Sequence, residues 1–441
     1  MTACLQAMFL SRIGVKDRFD MKIKKLSAQL LQKTMVTIIG MILLQAISFI
    51  IALVLSRNQM LDVFGEYQFF IGTCSFFVIV SKYGLDEKIA FTFNKTPNWN
   101  LTKSQRQSLN NTLARTFRRS IISGLAIILF YFCFNLLSIN PVNQTAALYA
   151  IIYLPSFVLV IMISSIFRSQ GDITNRTIAT YFVPAIVICV LLGGFYFTNN
   201  LNLNTLFITR TLAYVLASTF CLITVQRRLP IKYSIKQFFI RKDHSVRDKK
   251  FQWFLFPIIC FLIETGTIYV WLLRLFETDA IIGEFSVLFR LSNIILIIPL
   301  ALSIVLANID EYRDGKSLKP LTIKITTLIL IIITLVLLSY LFLGETIISI
   351  FDSSLIPYKM NLVYLVLSLS LFAITSPLQS ILLSQKKIGI VFKINIISIS
   401  LSMLPLIYLN AKNDLAQNLN IICASLIIFG LIRTYSYFRI E

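Results

Sequence analysis

The chain has 441 residues, of which 57% are hydrophobic and only 14% are charged. A soluble domain carries about 25% charged residues, so this composition excludes an ordinary soluble protein and indicates many membrane-spanning helices. The 41 Lys and Arg residues outnumber the 20 Asp and Glu residues, and their placement decides whether this excess binds nucleic acid or sets a membrane topology.

About twelve apolar segments follow one another along the chain, each close to the roughly 20 residues that cross a bilayer as a helix. They predict an all-α polytopic membrane protein with six spans in each half. The predicted spans are 35–56, 65–83, 121–139, 147–167, 177–197, 205–225, 251–273, 283–307, 321–343, 360–383, 389–409 and 419–436.

The basic residues lie mainly on one side of these spans. With the N-terminus in the cytoplasm, 35 of the 41 Lys and Arg residues fall in the N-terminal tail, the inner loops or the C-terminal end. This asymmetry follows the positive-inside rule and predicts that both termini lie in the cytoplasm. The basic loops are therefore expected to meet anionic lipid headgroups, and no nucleic-acid partner is expected.

The second half of the chain repeats the first. Phe64-Gly65-Glu66-Tyr67 opens one span and Ile282-Gly283-Glu284-Phe285 opens another, 218 positions later. The segments 165–170 and 380–385 share a Ser-Ile-x-x-Ser-Gln pattern at an offset of 215. Because each half has an even number of spans, the repeats are parallel, as in many secondary transporters with a cavity between two lobes.

The repeat predicts four regions. Residues 1–34 form a cytoplasmic tail. Residues 1–20 precede a second candidate start at Met21 and are interpreted either as a dispensable extension or as the result of a wrongly assigned start codon. Residues 35–225 form an N-lobe, residues 226–250 a basic cytoplasmic linker, and residues 251–441 a C-lobe.

Ionisable residues inside spans are costly and are functional hypotheses by default, and three of them stand out. They are Glu264, Arg290 and Arg210. Glu264 and Arg290 lie at similar depth in adjacent antiparallel spans and are predicted to pair. Arg290 and Arg210 would bind a phosphate-bearing substrate, because a guanidinium matches phosphate oxygens bidentately. Glu264 would then be an ion-coupling site for a proton or sodium ion.

Structural alternatives remain open for these residues. A static Glu264–Arg290 pair could simply join two helices, and Arg210 could extend outward to the interface. Asp86 and Glu87, at the inner end of the second span, fit a gate or headgroup contact as well as an ion-coupling role. Further polar side chains in spans could face the same cavity or bond between helices: Gln45, Asn293, Ser368, Ser370, Ser376 and Gln379.

The motifs of soluble catalysis are absent from the sequence. It contains no GxxxxGK[ST] loop for ATP, no CxxC pair and a single histidine, His244. No enzyme activity, cofactor or metal is therefore expected, and no outer loop is large enough for the active site of a polymerase or ligase.

Several of these residues resemble one family. The Phe64-Gly65-Glu66-Tyr67 opening, the stretch Lys82–Asp86, the basic run to Arg119 and the Ser169–Asp172 turn are similar to polysaccharide-transporter proteins. These are bacterial O-antigen and capsule repeat-unit flippases of the multidrug, oligosaccharidyl-lipid and polysaccharide exporter superfamily. The resemblance extends over about residues 25–441.

This resemblance implies two six-helix lobes around a cationic cavity and a flippase for undecaprenyl-diphosphate-linked oligosaccharides, coupled to an ion. Glu264 and Arg290 match an acid and an arginine that such proteins carry in the seventh and eighth helices. Expected partners are membrane lipids and the polymerase and chain-length proteins of the same pathway. The alternative is an ion-coupled exporter of drugs or metabolites, which predicts a more apolar, acid-lined pocket.

Overall fold

The computed structural model describes residues 35–82, 84–86, 89, 101–137, 143–229, 266–306, 319–385, 387–410 and 414–440. Within these residues the chain forms twelve helices and no strand, which confirms the predicted fold class. In chain order they are α1 Met35–Arg57, α2 Leu61–Lys82, α3 Lys103–Leu137, α4 Thr145–Ser169, α5 Ile173–Phe197, α6 Leu203–Arg228, α7 Thr267–Arg274, α8 Asp279–Ser303, α9 Lys319–Phe351, α10 Lys359–Ser384, α11 Ile388–Leu406 and α12 Leu415–Ile440.

Eleven helices in the described part of the chain are long and apolar enough to cross a membrane. Helix α3 is longer than its predicted span, because the basic run from Lys103 continues as helix into the apolar segment without a break. Most of the predicted seventh span lies outside the described residues, and α7 is the part of it that is described.

Two helices contain an irregular turn. Helix α5 includes a π segment at Ile178–Phe182, which precedes Pro184. Helix α8 includes a 3-10 segment at Asn293–Leu296, which precedes Pro299. Proline lacks the N–H that an α-helix uses, and both kinds of local turn re-aim the side chains around them. The break in α8 falls one turn beyond Arg290.

The two lobes are in contact where the two copies of the repeated motif, one on α2 and one on α8, cross each other. Helix α2 packs along α8, and a Cβ added to Gly65 would lie 2.0 Å from the backbone oxygen of Asp279. Reciprocally, a Cβ added to Gly283 would lie 2.1 Å from the backbone oxygen of Leu61. Each glycine therefore lets the two backbones touch, as small residues do at close helix crossings in membranes.

This crossing lies at one end of the bundle, called the outer end, which carries residues 58–60, 198–202 and 275–278. The charge asymmetry predicts that this end faces away from the cytoplasm. Two further bonds join the lobes there: the Ser56 hydroxyl donates to the Phe351 carbonyl over 3.0 Å, and Arg57 Nε donates to the Ile350 carbonyl over 2.9 Å. The outer end is closed.

One basic residue that the sequence analysis counted among the cytoplasmic charges lies inside the helix bundle instead. Arg433, counted with the C-terminal end, lies inside α12 and is fully buried. It donates to Gln379 Oε1 and lies over the rings of Phe429 and Tyr437 at 5.2 and 5.7 Å. Its charge is thus held inside the C-lobe by an amide and aromatic faces, which are favourable partners for a desolvated cation.

Candidate functional site

A cavity of about 250 Å³ lies between the two lobes, and its lining begins about one helical turn after Gly65 and Gly283. Helices α1 and α2 line it from the N-lobe, α7 and α8 from the C-lobe, and α6 contributes one arginine. The lining residues are Leu44, Gln45, Ser48, Gln68, Ile71, Gly72, Ser75, Arg210, Gly266, Thr267, Val270, Phe285, Ser286, Phe289, Arg290 and Asn293.

Most of the cavity lining follows the internal repeat. Except for Phe285, the lining residues of α2 and α8 pair at an offset of 218, and those of α1 and α7 pair at an offset of 222. Gly72 on α2 is the counterpart of Arg290 on α8. The two helices therefore line the cavity with equivalent positions, but only α8 places a cation at this one. The pairs are Gln68 with Ser286, Ile71 with Phe289, Gly72 with Arg290, Ser75 with Asn293, Leu44 with Gly266, Gln45 with Thr267 and Ser48 with Val270.

Arg290 is held by the helix that faces it. Its Nη2 donates to Gln68 Oε1 over 2.8 Å, and its guanidinium lies 5.5 Å from the centre of the Phe64 ring. Phe64 and Gln68 are one turn apart on α2, so the same face of this helix contacts the guanidinium twice. Arg290 also lines the cavity.

Arg210 enters the same cavity from α6. Its guanidinium lies 5.0 Å from the centre of the Tyr214 ring, one turn further along the same helix. Tyr153 and Tyr67 also lie near this guanidinium. Tyr67, which is buried, is close enough to both Arg210 and Arg290 to feel their charge, so the repeated motif on α2 contributes to the surroundings of both cations.

Most of the buried polar atoms of the cavity wall that lack a partner are hydrogen-bond donors. Arg210 Nε, Arg290 Nε and Gln68 Nε2 have no acceptor among the described residues, whereas Asn293 Oδ1 is an acceptor without a donor and the Ser286 hydroxyl could act as either. None of the described lining residues is an Asp or a Glu. Buried donors without acceptors are costly, and a charged guanidinium is most strongly satisfied by an oxyanion. The wall is suited to a ligand that brings several oxygen acceptors and negative charge.

The structure brings together some of the sequence-predicted residues and not others. Arg290, Arg210, Gln45 and Asn293 line the cavity. Glu264 lies outside the described residues, so its predicted pairing with Arg290 stays a prediction.

The remaining polar candidates bond within the helix bundle instead. Ser376 contacts Ser303 over 2.9 Å, and Ser368 donates to the backbone oxygen of Tyr364. Ser370 donates to the backbone oxygen of Leu367, and Gln379 accepts from Arg433.

At the inner end of α2, Asp86 is buried and forms an ion pair with Lys82 over 2.7 Å. This local pair, one helical turn apart, accounts for the carboxylate at that position. Glu87 lies outside the described residues.

Sequence reasoning missed the two α2 residues that face the arginines, Tyr67 and Gln68. Only their position in the repeated motif could have indicated them, because an aromatic and an amide side chain in a span are usually packing residues. It also missed Arg274 at the outer end of α7, which is fully buried and pairs with Asp279.

The loop between α7 and α8 contains a buried acid. Glu277 is 8% exposed and accepts a hydrogen bond of 2.9 Å from Asn418 Nδ2. Burial raises the pKa of Glu277, and the Asn418 bond opposes that shift only in part. This carboxyl joins the outer ends of the C-lobe helices and does not reach the cavity.

Several solved structures have the same architecture. The MATE multidrug transporter DinF-BH matches with a TM-score of 0.65 at 15% identity, over 93% of each chain. A multidrug resistance MATE family transporter in an inward-facing conformation matches with a TM-score of 0.60 at 14% identity, over 92% of this chain and 94% of that one. The fold is that of the MOP-superfamily transporters.

A third solved structure with the MOP fold is relevant to the charge of the cavity. It is a MOP superfamily transporter from Pyrococcus furiosus, with a TM-score of 0.60 at 14% identity, over 93% of this chain and 95% of that one. That protein is described as having a binding pocket of reverse polarity, which suggests a different function for it. No family model matches the chain, and no curated protein sequence matches it.

Proposed function

We propose that this protein is an ion-coupled membrane transporter whose central cavity binds an anionic substrate. The observation that carries the proposal is the set of unpaired buried donors on Arg210, Arg290 and Gln68 in a wall without a described carboxylate. Two guanidinium groups that repel each other electrostatically are stabilised together by one ligand with two or more negative oxygens.

The substrate we propose is a lipid-linked oligosaccharide whose diphosphate binds Arg290 and Arg210. A diphosphate supplies enough oxygens for both guanidinium groups and for Gln68 Nε2, and charge-assisted bonds of this kind are the strong ones. The protein would act as a flippase for undecaprenyl-diphosphate-linked repeat units in the bacterial inner membrane. Glu264 remains the proposed ion-coupling residue.

A second candidate function is the export of drugs or metabolites. The solved structures with the same fold include MATE multidrug transporters, and on fold alone this function is at least as well supported. The two candidates differ in the charge of their substrate, because a cationic wall repels a cationic drug and attracts a diphosphate.

The decisive experiment measures binding to the purified protein by thermal stabilisation, since a ligand that binds only the folded state raises its stability. The probes are farnesyl diphosphate and the cationic dye ethidium. We expect farnesyl diphosphate to stabilise the protein. Arg290→Gln and Arg210→Gln are each expected to weaken the binding of farnesyl diphosphate about 10- to 150-fold, because each removes a charged hydrogen bond that contributes about 1.5–3 kcal/mol.

The matched control is Arg227→Gln, which removes an exposed arginine at the inner end of the same helix as Arg210. It should leave the affinity unchanged. Stabilisation by ethidium and none by farnesyl diphosphate would overturn the proposal in favour of the exporter. A knockout strain then tests the finer function: loss of surface polysaccharide with accumulation of lipid-linked units supports the flippase, and normal surface polysaccharide refutes it.

A further inference from the structure

The buried polar atoms of the cavity that lack a partner differ in the group that would satisfy them. Arg210 Nε, Arg290 Nε and Gln68 Nε2 each need an acceptor. Asn293 Oδ1 needs a donor, because a carboxamide oxygen only accepts hydrogen bonds. Among the lining side chains that the structure describes, it is the one buried acceptor-only atom without a partner. A ligand that satisfies the whole wall must therefore bring both acceptors and a donor.

The serines of α8 show which face of this helix is left open for a ligand. Ser292 and Ser303 are buried and donate to backbone oxygens of their own helix, those of Phe289 and Pro299, each over 2.7 Å. Ser286 is also buried and lines the cavity, but its hydroxyl has no partner among the described residues. A hydroxyl donates or accepts, so Ser286 marks the cavity face of α8 without deciding what binds there.

Ser286, Arg290 and Asn293 lie in a row along this face. They are four and three positions apart in the sequence, a spacing that places side chains on one side of a helix. From Arg290 to Asn293 the helix rises about 4.5 Å, at 1.5 Å per residue. Asn293 begins the 3-10 segment and lies further from the closed outer end than Arg290. The unpaired acceptor is thus about one turn from the guanidinium, towards the inner side of the cavity.

A diphosphate alone does not satisfy this row. A diphosphate diester at neutral pH carries negative oxygens and no hydrogen-bond donor, so it satisfies the guanidinium groups and leaves Asn293 Oδ1 unpaired. Arg290 Nη2 does not supply the donor either, because it is bonded to Gln68 Oε1. In a glycosyl diphosphate, the hydroxyl or amide N–H on the sugar carbon beside the phosphate link lies only a few bonds from the phosphorus. That separation is comparable with one helical turn.

We propose that Asn293 Oδ1 accepts a hydrogen bond from the first sugar of the substrate, so that the cavity prefers a glycosylated diphosphate to one without a sugar. The inference rests on the proposed function, since it assumes a diphosphate at Arg290 and Arg210. A lipid diphosphate without a sugar leaves a buried acceptor unpaired, which is costly. A site that bonds a substrate hydroxyl discriminates in this way against the analogue that lacks it. Asn293 thereby selects lipid carriers that are loaded with sugar.

The experiment compares two ligands that carry the same charge and differ in their donors. One is farnesyl diphosphate esterified to N-acetylglucosamine, and the other is farnesyl diphosphate esterified to cyclohexanol, whose ring has no donor. Their affinities are measured by thermal stabilisation of the purified protein. We expect the sugar ester to bind the wild-type protein about 3- to 10-fold more tightly, which is the effect of one ordinary hydrogen bond.

Asn293→Leu removes the acceptor at nearly constant volume, so the two esters should bind this variant equally well. Asn293→Ala is a second variant, which removes the same oxygen without adding a branched side chain. The matched control is Asn110→Leu. Asn110 Oδ1 is also buried without a partner among the described residues, but Asn110 lies on α3 and does not line the cavity. This control should keep the wild-type preference for the sugar ester.

Equal affinities of the two esters for the wild-type protein, or a preference that persists in both Asn293 variants, would overturn the inference. Loss of the preference in Asn110→Leu would also overturn it, because the preference would then not depend on a cavity residue. In each of these cases the proposed function stands, since both esters carry the diphosphate and bind. If neither ester stabilises the protein, the proposed function is refuted, and the role of Asn293 is refuted with it.

Discussion

The crossing of the two lobes at Gly65 and Gly283 leads to a sharp prediction about the conformational equilibrium. A Cβ at position 65 would lie 2.0 Å from the Asp279 backbone oxygen, whereas an ordinary contact needs at least 3.4 Å. In Gly65→Ala the helices α2 and α8 must therefore move apart by the difference, about 1.4 Å. Neither atom can swing away, because one is a Cβ and the other belongs to the backbone.

The strain exists only while the outer end is closed. Overpacking of this kind costs about 1–3 kcal/mol, so Gly65→Ala should shift the equilibrium between closed and open outer ends roughly 5- to 150-fold towards the open form. Gly283→Ala should have nearly the same effect, because its Cβ meets the Leu61 backbone oxygen at 2.1 Å in the equivalent contact.

The assay is pulsed electron paramagnetic resonance on the protein with Asn200→Cys and Ser353→Cys as the only cysteines, both carrying spin labels. Asn200 and Ser353 are exposed at the outer ends of the N-lobe and the C-lobe, so the distance between the labels reports the opening of the outer end. Gly193→Ala is the matched control, since nothing lies within 4 Å of a Cβ at that membrane-embedded glycine. A wild-type distribution in Gly65→Ala, or an equal shift in Gly193→Ala, would refute the argument that the backbone contact holds the outer end closed.

Three further predictions concern single side chains. Gln68→Glu places a carboxylate 2.8 Å from Arg290 Nη2, so it should abolish stabilisation by farnesyl diphosphate while raising the melting temperature of the protein without ligand. Glu277→Gln should flatten the pH dependence of unfolding measured between about pH 4 and 7. Burial raises the pKa of Glu277 in the folded state, so this carboxyl's favourable contribution is present below its unfolded pKa, about 4.3, and is lost as the pH rises through the folded pKa. Glu345→Gln breaks a 3.0 Å ion pair with Lys359 in which Glu345 is 64% exposed, and it should change the free energy of unfolding by less than about 1 kcal/mol in a denaturant titration.

The sequence predicted the architecture well because its strongest signals are global. Among the helices that the structure describes in full, apolar segment lengths gave the bounds to within a few residues, apart from α3, whose basic start continues as helix, and α9, which continues to Phe351 beyond its predicted end at residue 343. The offset of 218 between the two motifs proved to be the register in which α2 and α8 line the cavity. A pattern repeated along a chain carries information on symmetry that no single residue carries.

Side-chain partners were harder to predict. Helix depth alone indicated Arg290 and Arg210 as cavity residues, because charge in a span must face the interior. It could not identify Gln68 as the acceptor for Arg290, since any polar group on a neighbouring helix would satisfy the same rule. Arg274 and Arg433 were assigned to helix ends by position. Their burial depends on aromatic rings that arrive from distant parts of the chain.

The reciprocal glycine crossing also bears on how such a protein can diverge. The joint between the lobes is made by backbone oxygens against positions that have no side chain. The contact therefore requires glycine at two positions, and neighbouring positions can change as long as their side chains do not enter the contact. A joint that depends on so few residues can be kept while most other positions of the two helices change.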